Sequence, residues 1–443
     1  MKVSITNNNI IRLALPISLA MVIPLINDLT NNYFLGKVGL RELAVIGVGG
    51  LFYLTLTMIG YGLANGVQVQ LSRKAASLDY NGITRLFVNG GLLTILLALS
   101  LMMLSLWLAP LIFGFSLHNS EHIYMSINFL YIRVWGLPFL MLTQLSNAFY
   151  IAIGRSKFLM AGSLAATLSN VLFDYLFIFG NSGFPKMGLE GAALASVCAE
   201  MIGFGVMYGL FYLRRLYIQF PVHNHFVLDI KQCQRMLRIS IPLIVQYFFS
   251  IGGWMIFFIF VEHLGERELA ASQILRSLFR IVSVSTWAFA ATCNSMVSNI
   301  IGQGRQKDVL GLVHKVARIS FICTAVICGL LLISARFYLS LFTSDEALIE
   351  VALPSLRVIT VATLIMSLGT VVFNGVVGTG KTTANLLIEI VSVFAYLVYC
   401  FIVIERMRSP LYMAWFSEFV YWSSLLLIGY SYLRWGRWRS RLN

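Results

Sequence analysis

Long apolar stretches with few charges follow one another along almost the whole chain, and they restrict the possible folds more than any other feature. Of the 443 residues, 58% are apolar and 11% are charged, and the mean hydropathy is +0.82. A soluble protein carries about 25% charged residues. A helix needs roughly 20 mostly apolar residues to cross a bilayer. The sequence therefore predicts an all-α integral membrane protein.

The apolar stretches predict twelve transmembrane helices. The first, "IIRLALPISLAMVIPL", has no small-residue cleavage site after a short apolar core, so it is interpreted as a span and not as a signal peptide. The predicted spans are residues 10–36, 43–71, 86–115, 122–152, 159–180, 189–213, 236–264, 270–301, 312–343, 347–376, 384–405 and 411–434.

Positive charge alternates between successive loops. The loops on one side of the predicted membrane, with both termini, carry most of the lysines and arginines, among them Arg73, Arg155, Arg214 and Arg305. Basic loops remain on the cytoplasmic side, so both termini are expected in the cytoplasm. The net charge of +14 then reflects membrane topology, and a nucleic-acid partner is not expected.

The sequence repeats itself at an offset of 226 residues. "GLRELA" at 39–44 recurs as "GERELA" at 265–270, and Gly154 aligns with Gly380. Two repeats of six helices, each with the same orientation in the membrane, follow from this pattern. The predicted organisation is a first lobe at 1–220, a cytoplasmic linker at 221–235 and a second lobe at 236–443.

The repeat also explains an apparent phosphate-binding loop. "GVVGTGKT", residues 375–382, has the spacing G-x-x-x-x-G-K-[ST]. Its counterpart in the first repeat, "AIGRSK", lacks that spacing, and both stretches join a fourth to a fifth predicted span. A working phosphate-binding loop lies between a strand and a helix in a soluble α/β domain. We therefore expect a glycine turn here and no nucleotide partner.

Ionisable residues inside a bilayer are costly unless they are paired or face water, so each is a candidate for function. In the first span Asp28 and Asn31 lie three residues apart, on one helical face. In the fifth span Asn170 and Asp174 lie four residues apart. Counting along the helices places both pairs roughly 25–27 Å from the cytoplasmic end. Together they would offer carboxylate and amide oxygens to a cation.

Each candidate also has a structural alternative. Asp28 could belong to a polar helix end, and the Asp174 carboxylate could be capped by neighbouring amides. Other ionisable residues in predicted spans could contact a substrate or place charge in the cavity of one lobe. For the acids among them the alternative is a buried structural pair, and for the arginines it is an extended side chain that reaches the interface. They are Glu200, Arg276, Arg280, Arg357 and Glu418. Glu389 is interpreted as an acid near a helix start, where the helix dipole favours it.

Several stretches, in order along the chain, resemble the multidrug and toxic compound extrusion (MATE) family. They are "FLGKVGLRELA", "IGRSK", "SNVLFDYLFIFG", "GLEGAALAS" and "IIGQG". The resemblance implies a V-shaped transporter of two six-helix lobes that alternates between inward-open and outward-open states. It implies a multi-pass protein of a bacterial inner membrane, acting as a secondary antiporter. Such a transporter exports bulky amphipathic, often cationic, drug-like compounds in exchange for H⁺ or Na⁺.

The resemblance also assigns a coupling-ion site in the first lobe. Asn170 and Asp174 match the family's residues in the fifth span, and Asn147 matches a polar position at the end of the fourth. If the ion is Na⁺, Asp174 and Asn170 would be its ligands. The chain departs from the family in the first span, where Asn31 occupies the usual aspartate position. Asp28, one turn earlier, is the candidate substitute.

Two other functions remain open at this point. A flippase for a lipid-linked saccharide or another anionic lipid would use the arginines of the second half, and a primary ATP-driven pump would need the phosphate-binding loop. No enzymatic activity and no cofactor other than the coupling cation are expected. A complete two-lobe pathway in one chain favours a functional monomer.

Overall fold

The protein is described here from a computed structural model covering residues 2–116, 120–225 and 228–438, excluding the side chains at positions 28, 32, 40–44, 46–48, 116, 224 and 225. Within these residues the chain is helical and has no β-strand. Its twelve long helical segments are α1 (Asn7–Val38), α2 (Leu40–Ala76), α3 (Tyr80–Phe115), α4 (Ser120–Ala152), α5 (Lys157–Phe179), α6 (Gly188–Leu213), α7 (Ile230–Glu262), α8 (Glu266–Gly302), α9 (Gln306–Ile333), α10 (Glu346–Gly378), α11 (Thr382–Arg406) and α12 (Leu411–Trp435).

The segments have the length and composition of membrane spans. Eleven of those in the described part of the chain are long and apolar enough to cross a bilayer, and α2, with 37 residues, completes the set. A helix satisfies its own backbone hydrogen bonds, which is the requirement that hydrocarbon imposes on a spanning segment. The prediction of an all-α, twelve-helix membrane protein is confirmed.

The ninth span differs from its prediction. The predicted segment 312–343 is too long at its end, because α9 ends at Ile333 and a separate short helix, Ala335–Ser340, follows. Arg336 in this short helix makes an ion pair of 3.0 Å with Glu350 of α10, and both side chains are exposed. A charge with an exposed partner belongs at the surface, so the spanning helix ends before it.

Contacts divide the chain into two compact units. The first unit contains Leu19–Ile244, and the second contains Lys2–Ser18 together with the chain from Val245 onward. The chain changes unit inside α1 and inside α7, at two points whose residue numbers differ by 226. The predicted lobe boundaries at 1–220, 221–235 and 236–443 stay predictions.

The backbone repeats at the same offset as the sequence. Left-handed residues (positive φ) occur in pairs 226 positions apart, each pair with similar φ angles. These pairs are Leu78 with Gly304 (58° and 75°), Gly154 with Gly380 (77° and 74°), and Ser182 with Arg408 (56° and 45°). The left-handed conformation is unfavourable for every residue type except glycine. Where a residue other than glycine adopts it in both repeats, the geometry of the turn, and not the preference of that residue, imposes the conformation.

The apparent phosphate-binding loop is one of these paired turns. It joins α10 to α11, and its Gly380 has nearly the same φ as Gly154 between α4 and α5. The backbone N–H of Lys381 donates to the Thr379 side chain, 3.4 Å away. The stretch thus connects two helices, where a phosphate-binding loop would follow a strand.

Replacing Gly154 with alanine tests the contribution of this turn to stability. A Cβ at Gly154 would meet no atom within 4 Å, so the only penalty comes from the left-handed backbone. We expect a loss of about 1–2 kcal/mol, seen as a lower melting temperature of the purified protein. Gly311→Ala is the control, because Gly311 lies in α9 with equally open space. A melting temperature of Gly154→Ala equal to that of Gly311→Ala would contradict the expectation.

Candidate functional site

The fifth and sixth segments are held together by small residues, and this close packing positions the first polar face. A Cβ at Gly191 of α6 would lie 2.7 Å from the carbonyl oxygen of Phe177, and one at Gly203 would lie 2.9 Å from the Cβ of Ala166. Small residues allow helix backbones to approach closely in membranes, where van der Waals packing drives association. The side chains of α5 that face α6 are therefore shielded from lipid.

Asp174 and Asn170 of α5 are buried on this shielded side. Asp174 is 0% exposed and Asn170 is 1% exposed. The Asn170 amide donates to the Ser196 hydroxyl at 3.5 Å, while its oxygen has no hydrogen-bond partner among the described residues. Neither carboxylate oxygen of Asp174 has one either. The face thus holds three oxygen acceptors that the described residues leave unsatisfied.

The end of α1 packs beside the end of α5. Leu35 lies in one buried cluster with Ile178, and the rings of Phe34 and Phe179 are 5.6 Å apart. Asn31 lies one turn before Leu35, and Asp174 lies one turn before Ile178. Residues four apart share a helix face, so each polar position lies on the helix face that also carries Leu35 or Ile178.

The polar face of α1 contributes further acceptors. The side-chain oxygens of Asn27 and Asn31 are buried and have no partner within the described ranges. Asp28 belongs to α1, but its side chain lies outside the described residues. That Asp28 takes the role of the family's usual aspartate at position 31 stays a prediction. The first and fifth segments therefore each carry buried, unpartnered side-chain oxygens, and the grouping of Asn31, Asn170 and Asp174 into one site stays a prediction.

Asn147 is not brought into this group. It is half-buried in α4, five residues before the end of that helix at Ala152, whereas Asp174 lies seventeen residues beyond the start of α5 at Lys157. A short turn joins these two helix ends, so Asn147 and Asp174 differ in depth by about 18 Å at 1.5 Å per residue. Its assignment to the coupling-ion site stays a prediction to which the helix geometry adds no support.

Glu200 forms a largely buried ion pair near this face, with side-chain exposures of 15% for Arg133 and 12% for Glu200. The Arg133 guanidinium donates to both carboxylate oxygens of Glu200, at 2.6 and 2.8 Å, and the Tyr53 hydroxyl donates to the same carboxylate at 3.1 Å. Arg133 also lies over the Tyr53 ring, 3.9 Å from its centre. A Cβ at Gly136 would lie 2.0 Å from the carboxylate, so the arrangement requires glycine there. Glu200 is therefore a paired charge of the first unit.

Glu200 has an ion-pair partner, whereas Asp174 has no hydrogen-bond partner among the described residues, and this difference is the main electrostatic feature of the first unit. Arg133 acts on Asp174 through space, but its hydrogen bonds go to Glu200. Tyr53 was not among the sequence candidates, because a tyrosine in an apolar segment carries no signal of its own. Arg133 lies within the predicted span 122–152, and its partner is set by the packing of α4 on α6.

The second unit holds two buried acids. Glu418 of α12 is 1% exposed and accepts a hydrogen bond of 2.8 Å from the Trp422 indole. Glu389 of α11 is 0% exposed and accepts hydrogen bonds from the Ser250 and Tyr421 hydroxyls. The interpretation of Glu389 as a helix-start acid is wrong, because α11 begins at Thr382, two turns earlier.

The three arginine candidates of the second unit are exposed. Arg276 and Arg280 lie one turn apart on α8, and Arg357 lies on α10. The Arg276 guanidinium lies over the Phe258 ring, 5.3 Å from its centre. The three residues are not gathered around either buried acid.

Comparison with known proteins identifies the family. The MatE family model matches the chain twice, at residues 16–176 and 242–402, and both bounds of the two matches differ by the repeat offset of 226. The chain belongs to the MATE family of transporters. It is a multi-pass membrane protein, as its apolar helices predict.

Individual relatives are distant in sequence. The "Probable multidrug resistance protein NorM" of Thermotoga maritima is 22% identical over 445 residues, covering 98% of this chain and 93% of the relative. Among solved structures, an outward-facing multidrug resistance MATE family transporter of the MOP superfamily has a TM-score of 0.89 at 16% identity, covering 96% and 94%. A MOP superfamily transporter of Pyrococcus furiosus has a TM-score of 0.87 at 17% identity, covering 97% and 94%, and its binding pocket is described as reversed in polarity. These structures show a shared two-lobe fold.

Removing the Glu200 carboxylate should destabilise this MATE family member. Glu200→Ala leaves Arg133 buried without its counter-charge, and such a loss costs about 3–5 kcal/mol. We expect a large fall in the melting temperature of the purified protein. Glu190→Ala, at an exposed position of the same helix, is the control. The double variant Arg133→Met, Glu200→Ala should recover part of the loss, and a double variant less stable than Glu200→Ala would contradict this explanation.

Proposed function

We propose that this protein is a secondary multidrug efflux antiporter, which exports amphipathic, mainly cationic compounds in exchange for H⁺ or Na⁺. The observation that carries the proposal is the Asp174 carboxylate, fully buried and without a hydrogen-bond partner among the described residues. The distant relative named as a multidrug resistance protein and the similar multidrug resistance transporter structure support the substrate class.

The cation is proposed because of the cost of an isolated charge. A carboxylate inside a bilayer costs roughly 3 kcal/mol or more unless a partner compensates it. Arg133 is engaged by Glu200, so a proton or Na⁺ at Asp174 would supply the missing compensation. Carboxylate and amide oxygens are hard ligands of the kind that alkali and alkaline-earth cations accept. If the ion is Na⁺, Asp174 and Asn170 would bind it, with the amide oxygen of Asn31 beside them.

Coupling would proceed through α1. The segment carries the buried oxygens of Asn27 and Asn31, and Pro24, one turn before Asn27, has no N–H for a helix hydrogen bond. Cation binding would draw the asparagine face toward α5 and repack α1 around this proline. A cation that binds one conformation more tightly than the other shifts the balance between them, which is the requirement for exchange. The drug would leave as the cation enters.

The proposal includes the topology of the chain. Both termini are placed in the cytoplasm by the distribution of Lys and Arg over the loops, in a bacterial inner membrane. The protein would act as a monomer, with no cofactor besides the coupling cation.

A flippase for an anionic lipid is the second candidate. The observation that favours it is the pair of exposed arginines, Arg276 and Arg280, one turn apart on α8. A lipid phosphate would require these charges, whereas export of a cationic drug would not. Dye export that persists in Arg276→Gln would favour the antiporter.

Replacing Asp174 with asparagine should abolish coupled transport. The amide keeps the size of the side chain but binds no proton and carries no charge for Na⁺. We expect at least a tenfold loss of dye uptake into inside-out vesicles under an imposed pH or Na⁺ gradient, and a similar loss for Asp28→Asn. Asp229→Asn is the control, because Asp229 is exposed and asparagine also caps a helix well. Gradient-driven uptake retained by the Asp28→Asn, Asp174→Asn double variant would remove this site from the mechanism.

Lys381→Ala should leave transport intact. Lys381 lies in the turn between α10 and α11 and would be essential only if that turn held a nucleotide phosphate. The same vesicle assay, without ATP, measures uptake by the native chain and the variant. The assay is then repeated with ATP and without an ion gradient, and ATP-dependent uptake by the native chain that is lost in a folded Lys381→Ala protein would revive the ATP-driven alternative.

A further inference from the structure

The second unit contains two buried acids for which the coupling mechanism has no use. Glu389 is 0% exposed and Glu418 is 1% exposed, and neither has an ion pair within the described part of the chain. Tyr421 donates a hydrogen bond to Glu389 and lies one turn after Glu418 on α12, so the two acids belong to one group. Two uncompensated negative charges at this depth would each cost several kcal/mol.

The hydrogen bonds of each acid are one-sided. One oxygen of Glu389 accepts from Tyr421 at 2.7 Å and from Ser250, while the other oxygen has no partner among the described residues. Glu418 accepts from Trp422 at 2.8 Å on one oxygen and has the Trp254 indole as a further hydrogen-bonding neighbour, while its other oxygen has no partner among the described residues. A neutral carboxylic acid has one acceptor oxygen and one hydroxyl oxygen. The observed asymmetry matches that form.

A further unsatisfied oxygen lies near Glu389, and a small pocket adjoins the hydrogen-bond donors of this acid. Asn385, one turn before Glu389 on the same face of α11, is 0% exposed; its amide donates to Gln246 at 2.7 Å, and its oxygen has no partner in the described ranges. A small pocket is lined by Ser250, Gly253, Trp254, Val393, Tyr396 and Tyr421. Two of these residues, Ser250 and Tyr421, are the hydrogen-bond donors of Glu389. The acid is therefore separated from this pocket only by its own partners.

The neighbours favour a proton over a metal ion. The Trp422 indole is a donor only and cannot ligate a cation. The other titratable groups that face the two acids are Tyr396 and Cys400 of α11 and Tyr421 of α12, while α7 contributes the Ser250 hydroxyl. None of these groups is a fixed positive charge.

We propose that Glu389 and Glu418 form a second proton-binding site, located in the second unit. Each carboxylate takes one proton from water on its unpartnered oxygen and becomes a neutral acid. The site shares no residue with the Asp174 group, so it gives this transporter a proton-binding capacity independent of the coupling-ion site in the first unit.

Infrared difference spectroscopy of the reconstituted full-length protein tests the proposal directly. A protonated carboxylic acid gives a C=O stretching band that disappears when the acid loses its proton on going from acidic to alkaline pH. We expect Glu389→Gln to lose one such band and Glu418→Gln to lose another. Glu262→Gln, at an exposed position of α7, should lose none of the bands of buried acids. Asp174→Asn should leave both bands in place, which separates this site from the first.

If both glutamine variants keep all of their carboxylic acid bands, the proposal is overturned. It is also overturned if only one of the two variants loses a band, since a two-acid site requires both acids. If Glu418→Gln fails to fold, Trp422→Phe replaces it, since this change removes the donor to Glu418 and should shift the Glu418 band without removing it. If Glu389→Gln fails to fold, Tyr421→Phe replaces it, since this change removes a donor to Glu389 and should shift the Glu389 band without removing it. An unshifted band in Tyr421→Phe would equally overturn the assignment.

Discussion

The cost of placing an uncompensated charge in hydrocarbon is the constraint on which this structure depends. It requires helices with internally satisfied backbones, and it requires each buried ionisable side chain to find a partner. The protein meets the second requirement in two ways. Glu200 has a guanidinium held against both of its oxygens. Asp174, Glu389 and Glu418 have no ion pair among the described residues, and a carboxylate in that position is suited to binding a mobile cation or proton.

The two repeats share a backbone and differ in chemistry. Turn residues with left-handed φ recur at an offset of 226, and so do the points at which α1 and α7 change unit. The functional residues do not recur. At the same offset, Asp174 aligns with Cys400, and Arg133 aligns with Ile359. This duplicated scaffold carries different buried acids in each half, and the two proposals assign the coupling cation to one half and protons to the other.

Sequence reasoning located much of the fold and part of the site. The helices, their number and the repeat followed from apolar length and from matching motifs, and Asn170 with Asp174 followed from a four-residue spacing inside a span. The predicted end of the ninth span was wrong, because the ion pair between Arg336 and Glu350 depends on a contact between two helices. Glu389 was misinterpreted because its distance from the helix start depends on the position of the turn at Gly380.

The sequence by itself determined the features that depend on neighbouring residues: the helical spans, the glycine turns and the internal repeat. These arise from local periodicity and local backbone preference, which are encoded within a few residues. Only the tertiary structure decided which buried charges are paired. Arg133 and Glu200 are 67 residues apart in the chain, and Glu389 and Ser250 are 139 apart, so their contacts depend on helix packing. The same packing leaves Asp174 without an ion pair among the described residues, because Arg133 reaches Glu200 instead.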